Sequence, residues 1–176
     1  MNHYRFRIMN LSKILILYFV CITSISCTSK QKPSPLVKIN HQIGSVNISM
    51  EYSSPRVRER AIWGELVPYN EIWRTGANES TIININKDIL INNNLLKKGE
   101  YSLFTIPNEE KWIVILNSVA NQWGSYDYNE EMDVLRLEIT PSVSNKFSEN
   151  LTFLINNDGI LFNWENLSFN LNIKEL

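Results

Sequence analysis

Cysteine, histidine and glycine are scarce in this sequence, and each scarcity closes off a chemistry. The 176 residues contain 2 cysteines, 2 histidines and 6 glycines. Both cysteines, Cys21 and Cys27, fall near the N-terminus. The remaining chain therefore has no thiol for a disulfide or for nucleophilic attack. Downstream of Cys27 the single histidine is His41. A triad needs a base beside its nucleophile, and a zinc site needs about three N or S ligands; neither set is present. Asp88, Asp127, Asp133 and Asp158 do not fall at calcium-loop spacing, and no glycine-rich phosphate loop occurs. No metal or cofactor is expected, and a binding role is expected over a catalytic one. The enzymatic route left open is a two-carboxylate mechanism through Glu65, Glu71, Glu79 or Asp127.

What is present at the N-terminus has the order of an export signal. Arg5, Arg7 and Lys13 precede an apolar run at residues 14–22 (ILILYFVCI), and small polar residues follow it. That run is too short for a bilayer, which needs about 20 apolar residues. Ser26 followed by Cys27 resembles a bacterial lipobox, which implies cleavage before Cys27 and acylation of its sulfur. The expected organisation is a lipoprotein signal peptide at 1–26, an acylated cysteine with a flexible tether at 27–40, and one β-sandwich domain at 41–176. The lipoprotein resemblance, with Thr28 rather than an aspartate after the cysteine, implies the outer membrane. The absence of Asp and Glu from 27 to 50 implies its periplasmic face. Without Arg5, Arg7 and Lys13 the 17 basic residues fall to 14 against 18 acidic ones, a net charge of about −4. Nucleic-acid binders carry the opposite field. The expected partners are a membrane, through lipid on Cys27, and a small polar ligand or glycan.

Alternation dominates the rest of the chain. Val46, Ile48, Met50 and Tyr52 are separated by Asn47, Ser49 and Glu51, the period of a half-buried strand. Residues 80–86, 88–92, 101–106, 111–117 and 133–140 continue the pattern, as do Leu151, Phe153 and Ile155. The four-residue connection 107–110 and the Asn157-Asp158-Gly159 turn predict hairpins. Phe162 and Trp164 sit at even positions but Leu167, Phe169, Leu171 and Ile173 at odd ones. One extra residue near Glu165-Asn166 restores a single buried face, which predicts a β-bulge. The fold class is all-β: an antiparallel β-sandwich, jelly-roll-like, of about eight strands with one long irregular loop.

That loop, residues 53–79, is punctuated by Pro55, Gly64, Pro68 and Gly76. Residues 68–74 are expected to form one helical turn ended by Gly76. Long irregular segments in compact domains are usually functional or stabilised by their own side chains. Arg74, Asn78 and Glu79 beside Trp73 are candidates to hold a polar ligand with the indole as a platform; the alternative is an Arg74–Glu79 pair with Asn78 closing the loop. Trp63, Trp123, Tyr126 and Tyr128 suit either a sugar-stacking surface or plugs at the end of the sandwich. Arg60 is a further candidate, although Arg56, Arg58 and Arg60 together read as a solvated face. The candidate ligand set is therefore Arg74, Asn78, Glu79, Trp73, Trp63, Trp123, Tyr126 and Arg60.

Several words in this region are distinctive: SPRV, Arg60 to Trp63-Gly64, LVPY, WRTGANE at 73–79, KGEYSLFTIP and NQWGSYDY. Together they resemble a bacterial family known as domain of unknown function 2911, over residues 52–140. Glu59 stands where that pattern has a glycine. The resemblance implies an exported β-rich domain, often lipid-anchored, and carries no reaction or substrate with it.

Overall fold

The computed structural model describes residues 33–176, so Cys27 and the segment expected to be a signal peptide lie outside the described residues. Alternating side chains build ten strands: β1 (Leu36–Ile43), β2 (Val46–Ser53), β3 (Ala77–Ile85), β4 (Ile89–Ile91), β5 (Asn94–Leu96), β6 (Gly99–Ile106), β7 (Trp112–Asn117), β8 (Asp133–Ile139), β9 (Ser142–Asn156) and β10 (Gly159–Glu175). They form a six-stranded sheet, β1-β2-β3-β6-β7-β8, and a four-stranded sheet, β5-β4-β10-β9. All the pairings between strands are antiparallel. The protein is an all-β sandwich. Ile48, Met50, Ile83, Leu103 and Val114 of the larger sheet share one buried core with Leu151, Phe153, Phe162, Trp164 and Leu171 of the smaller.

The strands beyond the eight expected are β1 and β5, the latter joined to β4 at Asn92-Asn93. Both turn residues have positive φ (47° and 64°), the conformation a two-residue hairpin favours and Asn tolerates. Residues 36–40, expected to belong to a tether over 27–40, are strand instead. β1 begins at Leu36, because Val37 and Ile39 pack against the core from a strand paired along its whole length with β2. No helical turn forms at residues 68–74. Asn70 takes φ 60°, and Trp73 exchanges both backbone bonds with Thr105 at 2.8 Å each. It thereby occupies the edge of β6 that β3 leaves free beyond Thr81.

The bulge is at Glu165, whose φ is 54° and whose pairing with β9 is out of register on both sides. It folds β10 back on itself. The Ile173 amide donates to the Asp158 carbonyl at 3.1 Å, and Phe162 stacks on Phe169 at 4.6 Å with an 11° tilt.

A second, smaller apolar cluster lies on the outer face of the six-stranded sheet. Phe104 and Ile115 are fully buried yet stand apart from the main core. The connection between β7 and β8, residues 118–132, covers them. Tyr128 packs edge-on against Phe104 at 5.1 Å, and the Ser102 hydroxyl donates to the Val119 carbonyl at 2.7 Å. This flap covers the sheet on the β6-β7 side only. The outer face of β1, β2 and β3 stays open, and the flap's edge forms a wall beside it.

Candidate functional site

The irregular loop is held at both ends by backbone. Val57 N donates to Glu149 O (2.8 Å) and Leu151 N to Pro55 O (2.9 Å), which joins residues 55–57 to β9. Further on, the Thr81 amide donates to the Arg74 carbonyl (3.3 Å), and its hydroxyl donates to the Thr75 carbonyl (2.9 Å). Gly76 is tightly enclosed there: a Cβ would stand 3.1 Å from both Ser53 O and Thr81 Oγ1.

Four tryptophans from across the sequence meet inside this frame. Trp73 is 8% exposed, stacks on Trp164 at 5.7 Å and 20°, and donates from Nε1 to the Gly76 carbonyl at 3.1 Å. Trp63 lies against Trp112 at 4.7 Å and donates to Glu165 Oε2 at 3.1 Å. Trp73 is therefore a core plug, and half-buried Trp63 packs against the same core. Arg60 closes its own loop by donating to the Val57 and Arg56 carbonyls. Arg58 and Glu59 beside it adopt φ 49° and 57°, the left-handed region that favours glycine.

The remaining candidates divide around the flap. Asn78, Glu79 and Trp123 line one open cleft of about 690 Å³, bordered also by Glu51, Asn121 and Gln122. Asn78 takes φ 60° and donates to Ser53 Oγ at 3.1 Å. Glu79 meets Trp123 in an isolated antiparallel bridge, supported by Ser80 N donating to Gln122 O at 3.0 Å. Trp123 is 59% exposed at the rim of the cleft. Tyr126 is 84% exposed on the same flap but outside the cleft lining.

Arg74 does not line this cleft and forms no ion pair with Glu79 or any other described residue. Its Nε is buried without a hydrogen-bond partner among the described residues. Its Nη1 would lie 3.7 Å from a Cβ on Gly124. Of the four carboxylates considered for hydrolysis, Glu79 alone borders the cleft. Among the described residues no group of His, Cys, Asp and Glu is placed to hold a metal ion, and no helix is long and apolar enough to cross a membrane.

Gln122 is 7% exposed and anchors the cleft wall. Its Nε2 donates to Ser102 Oγ, Asn117 Oδ1 and Val119 O, whereas its Oε1 has no partner among the described residues. Glu51 is the contributor that sequence reasoning missed. It is one outward position of an alternating strand and carries no local signal of its role; Lys38 pairs with it at 2.6 Å. Asn121 and Gln122 were visible only as neighbours of Trp123.

Fold and site together define an all-β sandwich domain with a cleft of mixed apolar and polar lining, walled by an aromatic flap. The chain belongs to the family described as Protein of unknown function (DUF2911), whose model matches residues 34–173. No curated protein and no solved structure matches the chain.

Proposed function

We propose that this protein is a non-catalytic binding module of the bacterial cell envelope, held by lipid on Cys27 to the periplasmic face of the outer membrane. Its cleft takes a polar ligand, a glycan or a small metabolite. The observation that carries this reading is the exposed indole of Trp123 at the rim of a cleft furnished by Asn78, Glu79 and Asn121. Binding sites for small molecules pair an apolar or aromatic surface with a few placed polar groups. The lipid supplies residence at the membrane, each buried methylene contributing about 0.8 kcal/mol.

The test is calorimetric titration of the full-length protein in detergent with a panel of envelope glycans and metabolites. At least one ligand is expected to bind, and Trp123→Ala is expected to weaken it. A panel without a hit, or one whose hits ignore Trp123, overturns the cleft reading. The anchor is tested separately by mass analysis of the native product, which should begin at an acylated Cys27.

A second reading is a protein-partner lipoprotein. It rests on Val143, Phe147 and Leu154 of β9, which are 77%, 52% and 54% exposed. Crosslinking in the native envelope should then recover one stable protein partner through β9.

A further inference from the structure

The cleft beside Trp123 does not end at its own walls. A second cavity shares Glu51, Ile82 and Asn121 with it, and a third shares Ser49 and Asn84 with the second. The three lie along the outer face of β1, β2 and β3 that the flap leaves open. From Glu51 to Asn47 on β2 alone the groove covers four residue steps, about 14 Å at strand spacing. That is longer than a single sugar ring, and the Trp123 cleft adds to it.

We infer that this groove binds a linear saccharide chain lengthwise, uncharged or amine-bearing, with Trp123 stacking one ring and the asparagine side chains of the strands holding the following units. The inference rests on the cleft reading above and extends it to a ligand class and a direction. Three observations favour such a chain. First, the groove lies on the face of the sheet and not along its β1 edge, and β2 and β3 beneath it are paired on both sides. A peptide adding as a strand needs a free sheet edge, so recognition here falls to side chains.

Second, those side chains are Asn47, Ser49, Asn84, Asn86 and Asn121. Amides and hydroxyls both donate and accept, which matches the hydroxyls of a sugar chain. Several are held in place by neighbours: Asn84 donates to Glu100 at 3.3 Å, and Asn86 Oδ1 accepts from the Asn47 amide at 2.7 Å. Third, the charge is one-sided. Lys38 is engaged by Glu51, while Glu79 and Glu100 form no ion pair among the described residues. Uncompensated carboxylates reject polyanions and accept neutral or amine-bearing units.

The experiment titrates the full-length protein in detergent with N-acetylglucosamine, glucosamine, cellulose and galacturonic acid oligomers, each from monosaccharide to hexasaccharide. Affinity for the neutral or amine series is expected to rise about tenfold or more from monosaccharide to tetrasaccharide, with the acidic series not binding. Asn84→Ala and Ser49→Ala, both at exposed positions, should weaken the tetrasaccharide several-fold and leave the monosaccharide unchanged. Trp123→Ala should weaken both. Equal affinity at every length, or tight binding of the acidic series, overturns the groove while leaving the cleft intact. Metabolite binding that needs Trp123, with no saccharide bound at any length, overturns this inference alone. Absence of any ligand overturns both readings.

Discussion

Glu79 and Trp123 are joined by a single antiparallel bridge, so the backbone, not either side chain, fixes the flap to the start of β3. The consequence is that the indole is free to be removed. Trp123→Ala is expected to change unfolding free energy by no more than about 0.5 kcal/mol, the usual range for an exposed substitution away from buried features. Urea denaturation of wild type and variant checks this. A loss of several kcal/mol would make the ring a structural plug and remove the main support for the cleft reading.

Trp73 should behave oppositely, although both tryptophans sit in equally distinctive sequence words. Its ring is enclosed by Trp63, Trp164 and Phe162, and its Nε1 satisfies the Gly76 carbonyl. Trp73→Ala removes the packing and orphans a buried acceptor, at a cost of about 3–5 kcal/mol. Near-ultraviolet circular dichroism should lose intensity with it, because the stacked Trp73–Trp164 pair is broken. An unchanged urea midpoint would contradict the assignment of this ring to the core.

Gly159 is a sharper test of how β10 folds back at Glu165. At φ 139°, its missing Cβ would stand 2.0 Å from the Leu171 carbonyl oxygen. Gly159→Ala therefore requires the two limbs of the strand to separate, breaking the Ile173 to Asp158 bond. The expected loss exceeds about 3 kcal/mol, above the ordinary cost of overpacking. A fully folded alanine variant of wild-type stability would mean that the limbs are not in contact.

Much of this architecture was legible because period-two alternation is a local property. The parity switch between Trp164 and Leu167 pointed to a bulge, and Glu165 carries it. The first half of β9, residues 142–150, was not legible. It is largely exposed, so no buried face imposes alternation. The site was legible only in part. Asn78, Glu79 and Trp123 were named from a polar-aromatic composition that also drew in Trp63, Trp73 and Arg60, because local sequence does not say which indole is enclosed. Glu51 reaches the cleft only through the pairing of β1, β2 and β3, and no spacing along the chain encodes that.

Glu59 offers a test of strain in the irregular loop. It holds φ 57° without being glycine, a conformation costing about 1–2 kcal/mol for a residue with a Cβ. Glycine removes that strain but loses more entropy on folding, about 0.5–1 kcal/mol. Glu59→Gly is therefore expected to leave stability unchanged or raise it by up to about 1.5 kcal/mol, as measured by denaturant midpoint. A clear destabilisation would show that the Glu59 side chain makes a contact worth more than the strain.

The flap has its own dependence on pH, through Tyr128. Its hydroxyl donates to Asp133 Oδ2 at 2.6 Å, and Arg136 Nη1 donates to Tyr128 at 3.1 Å and to Asp133 at 2.7 Å. Burial first, then the hydrogen bond to the Asp133 carboxylate, pushes ionisation of this phenol well above its ordinary 10.0, with Arg136 opposing. The folded protein thus keeps a proton that the unfolded chain releases. Its contribution is complete below pH 10.0 and is lost as pH rises towards the folded value. Tyr128→Phe should cost about 1–2 kcal/mol at neutral pH through the lost bond to Asp133, yet decline less steeply than wild type at alkaline pH. Urea denaturation across the alkaline range, with phenolate absorbance followed in parallel, reads both effects. Equal alkaline slopes for the two proteins would mean that Tyr128 ionises as an ordinary surface phenol and does not hold the flap.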